Sequence, residues 1–203
     1  MRLTRMMALG GVALLLAACG GDNDAETAAA PAIDSAAAAL TGDTVRDTTR
    51  AEGDTATTAS ATVRDSAGRE LGRVTVTPEA DGFRLAGDIT GLPPGDHGFH
   101  VHAVGQCQPP FESAGPHWNP TNRQHGTQNP NGPHAGDLTG LTVGSDGIGN
   151  VNALITGHTV AQLLDADGAS VVVHASADDY RTDPSGNSGA RIACGVISRG
   201  NAG

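Results

Sequence analysis

The 203-residue chain contains no lysine: its twelve basic side chains are all arginine, set against 22 acidic ones for a net charge of −10. An acidic chain without a basic run excludes nucleic acid and an anionic lipid surface as charge-matched partners. Aromatics are nearly missing too, at 2% of residues, so any core must be assembled from Val, Ile, Leu and Ala. Long apolar runs are absent; the longest stretch, ALGGVALLLAA at 8–18, is too short to span a bilayer. No long amphipathic helix pattern is visible either. What the chain has in quantity is turn chemistry, with 29 glycines and 11 prolines. Its length suits one domain plus extensions.

The extension is at the front. Arg2 and Arg5 precede the apolar run, which ends in Leu16-Ala17-Ala18-Cys19. This resembles a bacterial lipoprotein signal, with residues 1–18 removed and lipid attached to Cys19. Gly20, in place of Asp, resembles the outer-membrane class. The expected location is the cell envelope, anchored to a bacterial membrane, either the outer membrane facing the periplasm or an exported surface. Residues 19–58 then form an Ala/Thr/Asp-rich tether with almost no large apolar side chain. Such a segment buries too little surface to offset its ordering entropy. As a flexible coil it would reach roughly 35 Å.

From residue 59 to 203 the pattern is β. Eight short segments, at 59–65, 72–80, 83–92, 97–103, 138–144, 149–156, 169–175 and 190–198, are rich in Val, Ile and Thr. Gly and Pro turns punctuate them, which predicts an antiparallel barrel or sandwich. Residues 159–167 could add one helical turn. The segment 104–137 does not fit a plain β domain, for it holds six prolines and no strand pattern. A loop of that length needs ties. Cys107 can supply one: setting Cys19 aside leaves Cys107 and Cys194, an even pair that an exported chain can oxidise. The remaining ties should be metal, because the same loop carries His117, His125, His134 and Asp137.

The strand GFHVH points the same way. Side chains alternate along a strand, so His100 and His102 share one face about 7 Å apart, while Phe99 and Val101 share the other. His174 ends another apolar strand. Alone, each histidine could be an ordinary surface residue. Together, six histidines and a carboxylate exceed what one tetrahedral zinc can take. They suit two metals if one imidazole binds both, with four nitrogens favouring copper and three nitrogens plus a carboxylate favouring zinc.

Five stretches, GFHVH (98–102), SAGPHWNP (113–120), HAGDL (134–138), VVVHASADD (171–179) and GNSGARIACGVI (186–197), resemble copper,zinc superoxide dismutase in order and spacing. The resemblance implies an eight-stranded antiparallel Greek-key β-barrel, of immunoglobulin-like sandwich architecture, with two long functional loops. It implies one copper per chain on His100, His102, His117 and His174, and one zinc on His117, His125, His134 and Asp137, with His117 as the bridge. Asp178 would join a copper histidine to a zinc histidine, Cys107 and Cys194 would form the loop disulfide, and Arg191 would receive the anion. The implied activity converts superoxide to dioxygen and hydrogen peroxide by copper redox cycling. His117 would leave copper on reduction and carry a proton. His97 matches a family histidine that is not a ligand; His158 matches nothing and is expected at the surface. Trp118 stands where Phe is common. Arg181 is the one cation of the 176–190 loop, so few guidance charges are expected there.

Two rival functions are a catalytically silent copper/zinc-binding homologue in the envelope and a three-histidine zinc hydrolase. The hydrolase leaves four ligand-type residues and Arg191 unused. Arg191 itself could instead be a surface residue paired with Asp178 or Asp179. The sequence carries no readable interface, so the oligomeric state, a homodimer included, stays open.

Overall fold

A computed structural model describes residues 57–200. The signal segment, Cys19 and nearly all of the tether lie outside the described residues. Nine strands form one antiparallel sheet: β1 (Ala59–Asp65), β2 (Glu70–Glu79), β3 (Gly82–Thr90), β4 (Gly95–His97), β5 (Phe99–His102), β6 (Leu141–Val143), β7 (Ile148–Thr156), β8 (Ala169–His174) and β9 (Arg191–Arg199). Their order in space is β4-β6-β7-β3-β2-β1-β9-β8-β5. The first and last members of that row, β4 and β5, are consecutive in the chain. One length of chain therefore belongs to both edges of the sheet, and the sheet curls into a nearly closed barrel.

The expected eight strands become nine because of Gly98. On one side of it β4 pairs with β6, and on the other β5 pairs with β8. Gly98 itself donates to Ser176 O and accepts from His174 N. A Cβ there would crowd the Ser188 side chain, so only glycine lets the strand change partners beneath the 175–190 loop. The crossing from β3 over the β6–β7 pair to β4 makes the topology a Greek key.

Alternation along the strands decides the interior. Val63, Val74, Val76, Leu85, Ile89, Val101, Val171, Val173 and Ile197 point inward and are buried. Phe83, Phe99 and Trp118 add aromatic bulk, with the Phe83 and Trp118 rings 6.0 Å apart. The predicted helical turn is α1 (Val160–Leu163), capped by Thr159 and Gln162 in a reciprocal capping box.

A second, smaller apolar cluster lies outside the barrel. Phe111, Ala114, Val172 and Cys194 bury one another, and Cys107 packs alongside. Val172 faces this cluster because its neighbours Val171 and Val173 face the core. The cluster and the Cys107–Cys194 disulfide, with Cα atoms 5.6 Å apart, dock the start of the 103–140 loop on β8 and β9.

That loop is tied by more than a disulfide and ligands. Its backbone runs along the free edge of β5: Trp118 N donates to Val101 O, Val101 N to Gly136 O, and Ala103 N to Pro116 O. These bonds cover a strand edge that would otherwise be open. They also seal the outer face of β5. His100 and His102 are fully buried, as are Phe99 and Val101 on the other face. His100 and His102 are therefore not surface residues.

Candidate metal centre

The two long loops and the ends of β5 and β8 meet over one outer wall of the barrel, and six of the eight histidines gather there. His100, His102, His117 and His174 form one group, and His117, His125, His134 and Asp137 a second, with the ligand-capable atoms within 4.8 Å of one another in each. His117 is in both. Its ring centroid is 4.1 Å from that of His100 and 4.8 Å from that of His102 on one side, and 5.1 Å from that of His125 on the other.

Hydrogen bonds fix which nitrogen of each ring is free. His102 Nδ1 donates to Gly115 O at 2.9 Å, and His174 Nδ1 donates to Gly189 O at 3.2 Å. His100 uses its other nitrogen, Nε2, on Asp178 Oδ2 at 2.6 Å. The N–H is thereby assigned, and the opposite nitrogen keeps its lone pair. Burial above all, then the neighbouring imidazoles, pushes His102 down to about 2 and His174 down to about 3. Burial likewise takes His117 down to about 4, against the pull of Asp137. These rings are neutral donors at neutral pH.

The free nitrogens have no partner. Among the described residues, the buried side-chain atoms left without a hydrogen bond are His100 Nδ1, His102 Nε2, His117 Nε2, His174 Nε2 and His125 Nδ1. Each such atom costs on the order of 1–3 kcal/mol when left unsatisfied. Four of them turned to one place could supply the donor set that a tetragonal copper ion takes.

The second group is arranged around one oxygen. Asp137 Oδ1 lies 2.8 Å from His117 Nδ1, 3.0 Å from His125 Nδ1 and 3.1 Å from His134 Nδ1. Its other oxygen is occupied by the N–H groups of Gly126 and His134. The His125 approach is close but misdirected for a hydrogen bond, which is why that nitrogen also counts as unpartnered. Such separations fall slightly under the edge of about 3.3 Å expected for a tetrahedron of 2.0–2.1 Å zinc bonds. Three nitrogens and a carboxylate with nothing left open fit a structural zinc ion.

Asp178 links the groups. Besides His100 it accepts from His125 Nε2 at 3.0 Å and from Tyr180 N at 2.7 Å. Burial alone would raise both carboxyls, but the histidine bonds hold Asp137 and Asp178 well below the usual carboxylate range. Burial opposes charge on His125 as well, yet the carboxylates on both sides push it up to about 9. A Cβ at Gly186, where φ is +63°, would collide with the Asp178 carboxylate and with His125 Nε2. Glycine is required for the loop to pass this close.

Arg191, at the start of β9, pairs with neither Asp178 nor Asp179. Its Nη1 donates to Phe111 O and its Nη2 to Gly115 O, both at 2.8 Å. Gly115 O thus serves a copper-group histidine and the guanidinium together. Arg191 and His117 both line an open cleft of about 600 Å³. Arg181, the one cation of the 176–190 loop, does not line this cleft; its Nε donates to Gln128 Oε1.

A profile of the family described as copper/zinc superoxide dismutase (SODC) matches residues 70–197. The chain is 38% identical over 148 residues to a copper-zinc superoxide dismutase of Aquifex aeolicus, covering 68% of this chain and 85% of that one. The chain belongs to the copper/zinc superoxide dismutase family. Among solved structures, the copper/zinc superoxide dismutase of Brucella abortus aligns with a TM-score of 0.58 at 30% identity, over 70% of this chain and 99% of that one. The superoxide dismutase-like protein YojM of Bacillus subtilis is 44% identical over 142 residues, covering 66% of this chain and 72% of that protein.

Several contacts of this family member are not visible in its motifs. His97 is buried, with ring nitrogens on His174 O at 2.7 Å and Pro93 O at 2.9 Å, behind the copper group. His158, expected at the surface, is half-buried edge-on to Trp118 with centroids 5.0 Å apart. Glu112 brings a carboxylate to 3.8 Å from Arg191 Nη2. Asp183 accepts from His125 N at 2.6 Å, fastening one long loop to the other.

Proposed function

We propose that this protein is a copper/zinc superoxide dismutase of the bacterial cell envelope. The observation that carries the reading is the set of four partnerless buried nitrogens on His100, His102, His117 and His174, next to a guanidinium that faces solvent space. Copper held there would supply the one-electron oxidation and reduction that turn two superoxide ions and two protons into dioxygen and hydrogen peroxide; zinc on the second group would supply a fixed charge.

The chain does the rest. Residues from 61 onward carry eight basic and fourteen acidic side chains, a net −6, so the body as a whole repels an anion. Attraction must be local, and Arg191 at the cleft wall provides it, with its fork oriented by two carbonyls. His117 lines that cleft, and its Nε2 has no protein partner, so this nitrogen would hold and deliver a proton to peroxide. Asp178 keeps the His100 and His125 rings in register. Buried walls around the other three histidines exclude water.

Arg191→Ala is expected to lower dismutation about tenfold or more, ~1.4 kcal/mol of barrier per decade. Copper and zinc content by elemental analysis should stay intact, and Arg191→Lys should recover part of the loss. The parent rate should fall with ionic strength more steeply than the mutant's. A fully metallated Arg191→Ala protein with the parent rate would remove the role.

The second reading, a silent metal-binding homologue, is favoured by similarity to a relative named only as superoxide dismutase-like. A metallated protein with no dismutation would establish it.

The envelope location rests on the Leu16-Ala17-Ala18-Cys19 pattern. Cys19→Ala should give an active protein that no longer partitions with membranes. Mass spectrometry finding mature protein with unmodified Cys19 would refute the anchor.

A further inference from the structure

We infer that Glu112 is a built-in competitor for Arg191, a specificity-determining carboxylate that the incoming anion must displace. This rests on the proposed anion-receiving role of Arg191 and adds a residue that opposes it.

The placement is built into the loop. Phe111, with φ at 75°, adopts the left-handed region, which a bulky side chain rarely occupies. Its ring is buried in the small cluster beside Cys194, and its carbonyl accepts a hydrogen bond from Arg191 Nη1. The single 3₁₀ turn Glu112–Ala114 starts immediately after it. That turn is pinned at its far end, where Ala114 O accepts from Val104 N and Gly115 O from Arg191. Glu112 is therefore held at the rim by fixed backbone on both sides.

Its carboxylate does not close on the guanidinium. The separation of 3.8 Å is longer than a hydrogen bond, and the Glu112 side chain is 77% exposed while that of Arg191 is 16% exposed. With the carboxylate in solvent the contact is weak, and water or another anion can replace Glu112 at the guanidinium at little cost. Yet a full negative charge this near a guanidinium cancels much of the field that Arg191 projects into the cleft.

Among the described residues, Glu112 is the carboxylate that comes within ion-pair distance of Arg191. Asp183, the second carboxylate lining the cleft, is engaged by His125 N. Arg123, the second guanidinium there, donates from Nε to Asn131 O and from Nη2 to Gly132 O. The carboxylate that bears directly on Arg191 is that of Glu112. Small monovalent anions reach the guanidinium by moving a flexible side chain aside, while larger or more highly charged anions meet the carboxylate as well. The arrangement trades capture rate for rejection of multiply charged anions.

The test is inorganic phosphate titrated calorimetrically into the copper- and zinc-loaded protein, and again into copper-free protein. Glu112→Gln, which keeps shape and removes charge, should tighten phosphate binding about threefold in both forms, the scale of one exposed ion pair. Glu112→Asp, with the charge drawn back, should fall between. Dismutation by Glu112→Gln should rise at low ionic strength, and the gain should vanish as salt is added. A Glu112→Gln protein that binds phosphate no tighter than the parent, with an unchanged thermal transition, overturns the inference. Absence of dismutation in every variant, with the phosphate shift present, would instead count against the proposed activity and leave the competition standing.

Discussion

Replacing His117 with alanine is expected to strip copper from the protein and loosen zinc in the same step. No other residue belongs to both ligand groups. Its Nδ1 faces Asp137 Oδ1 at 2.8 Å, and its Nε2 is one of the four partnerless nitrogens on the copper side. Residues that merely orient a ligand are worth about 10–100-fold in metal affinity. A shared ligand should exceed that, so copper affinity should fall ~10²-fold or more, and dismutation with it. His134→Ala is the contrast. His134 belongs to the zinc group alone, so its loss should lower zinc content while leaving the copper spectrum near that of the parent. Metal content by elemental analysis, together with the copper electronic and paramagnetic resonance spectra, separates the two. An unchanged copper spectrum in the His117→Ala protein would show that His117 does not bind both metals.

Which parts of this centre the sequence announces depends on the range of the interaction. The alternation of Phe99, His100, Val101 and His102 is a local property, and the barrel follows it. Strand β1 at Ala59–Asp65 and the turn at Val160–Leu163 are local in the same sense, set by alternation and by the Thr159–Gln162 box. Ligand convergence is not local. His117 is brought to His174, at the end of β8, by docking a long loop on the barrel; the number of ligand-type residues suggested convergence, and the resemblance of whole motifs assigned the sets. What the motifs leave out are contacts set by loop length and backbone path. The left-handed Phe111 follows a stretch, Gln108-Pro109-Pro110, whose length positions the Glu112 carboxylate at Arg191, 79 residues away. Nothing in either segment alone predicts that pairing. The split at Gly98 is similar, since it depends on which strand edges happen to flank it in space. The loop itself was expected to need metal to hold it. Backbone pairing with the β5 edge supplies part of the hold, and such pairing leaves no signature in side-chain pattern.

Those two kinds of tie predict different consequences for the disulfide. Exchanging both cysteines, Cys107→Ser with Cys194→Ser, opens a link across 87 residues. The chain-entropy relation assigns a loop of that size about 4.6 kcal/mol. Against an ordinary domain stability of about 5–15 kcal/mol this is a large fraction. For a domain of this size it corresponds to a fall of roughly 10–15 °C in the thermal transition. Activity below the transition should suffer far less. Trp118, Pro116 and Gly136 remain bonded along β5, and Ala114 O still accepts from Val104 N, so His117 and Gly115 keep their places. The Phe111 end is less secure, because the small cluster that buries it includes Cys194 and leans on Cys107. Arg191 would keep its bond to Gly115 O and lose the constancy of its bond to Phe111 O. A few-fold loss of dismutation, accompanied by weaker phosphate binding and unchanged metal content, is the expected pattern. Loss of both metals at temperatures where the variant is still folded would mean that the disulfide, and not the β5 edge, holds the ligand loop. A thermal transition equal to the parent's would mean that the cross-link contributes nothing to stability.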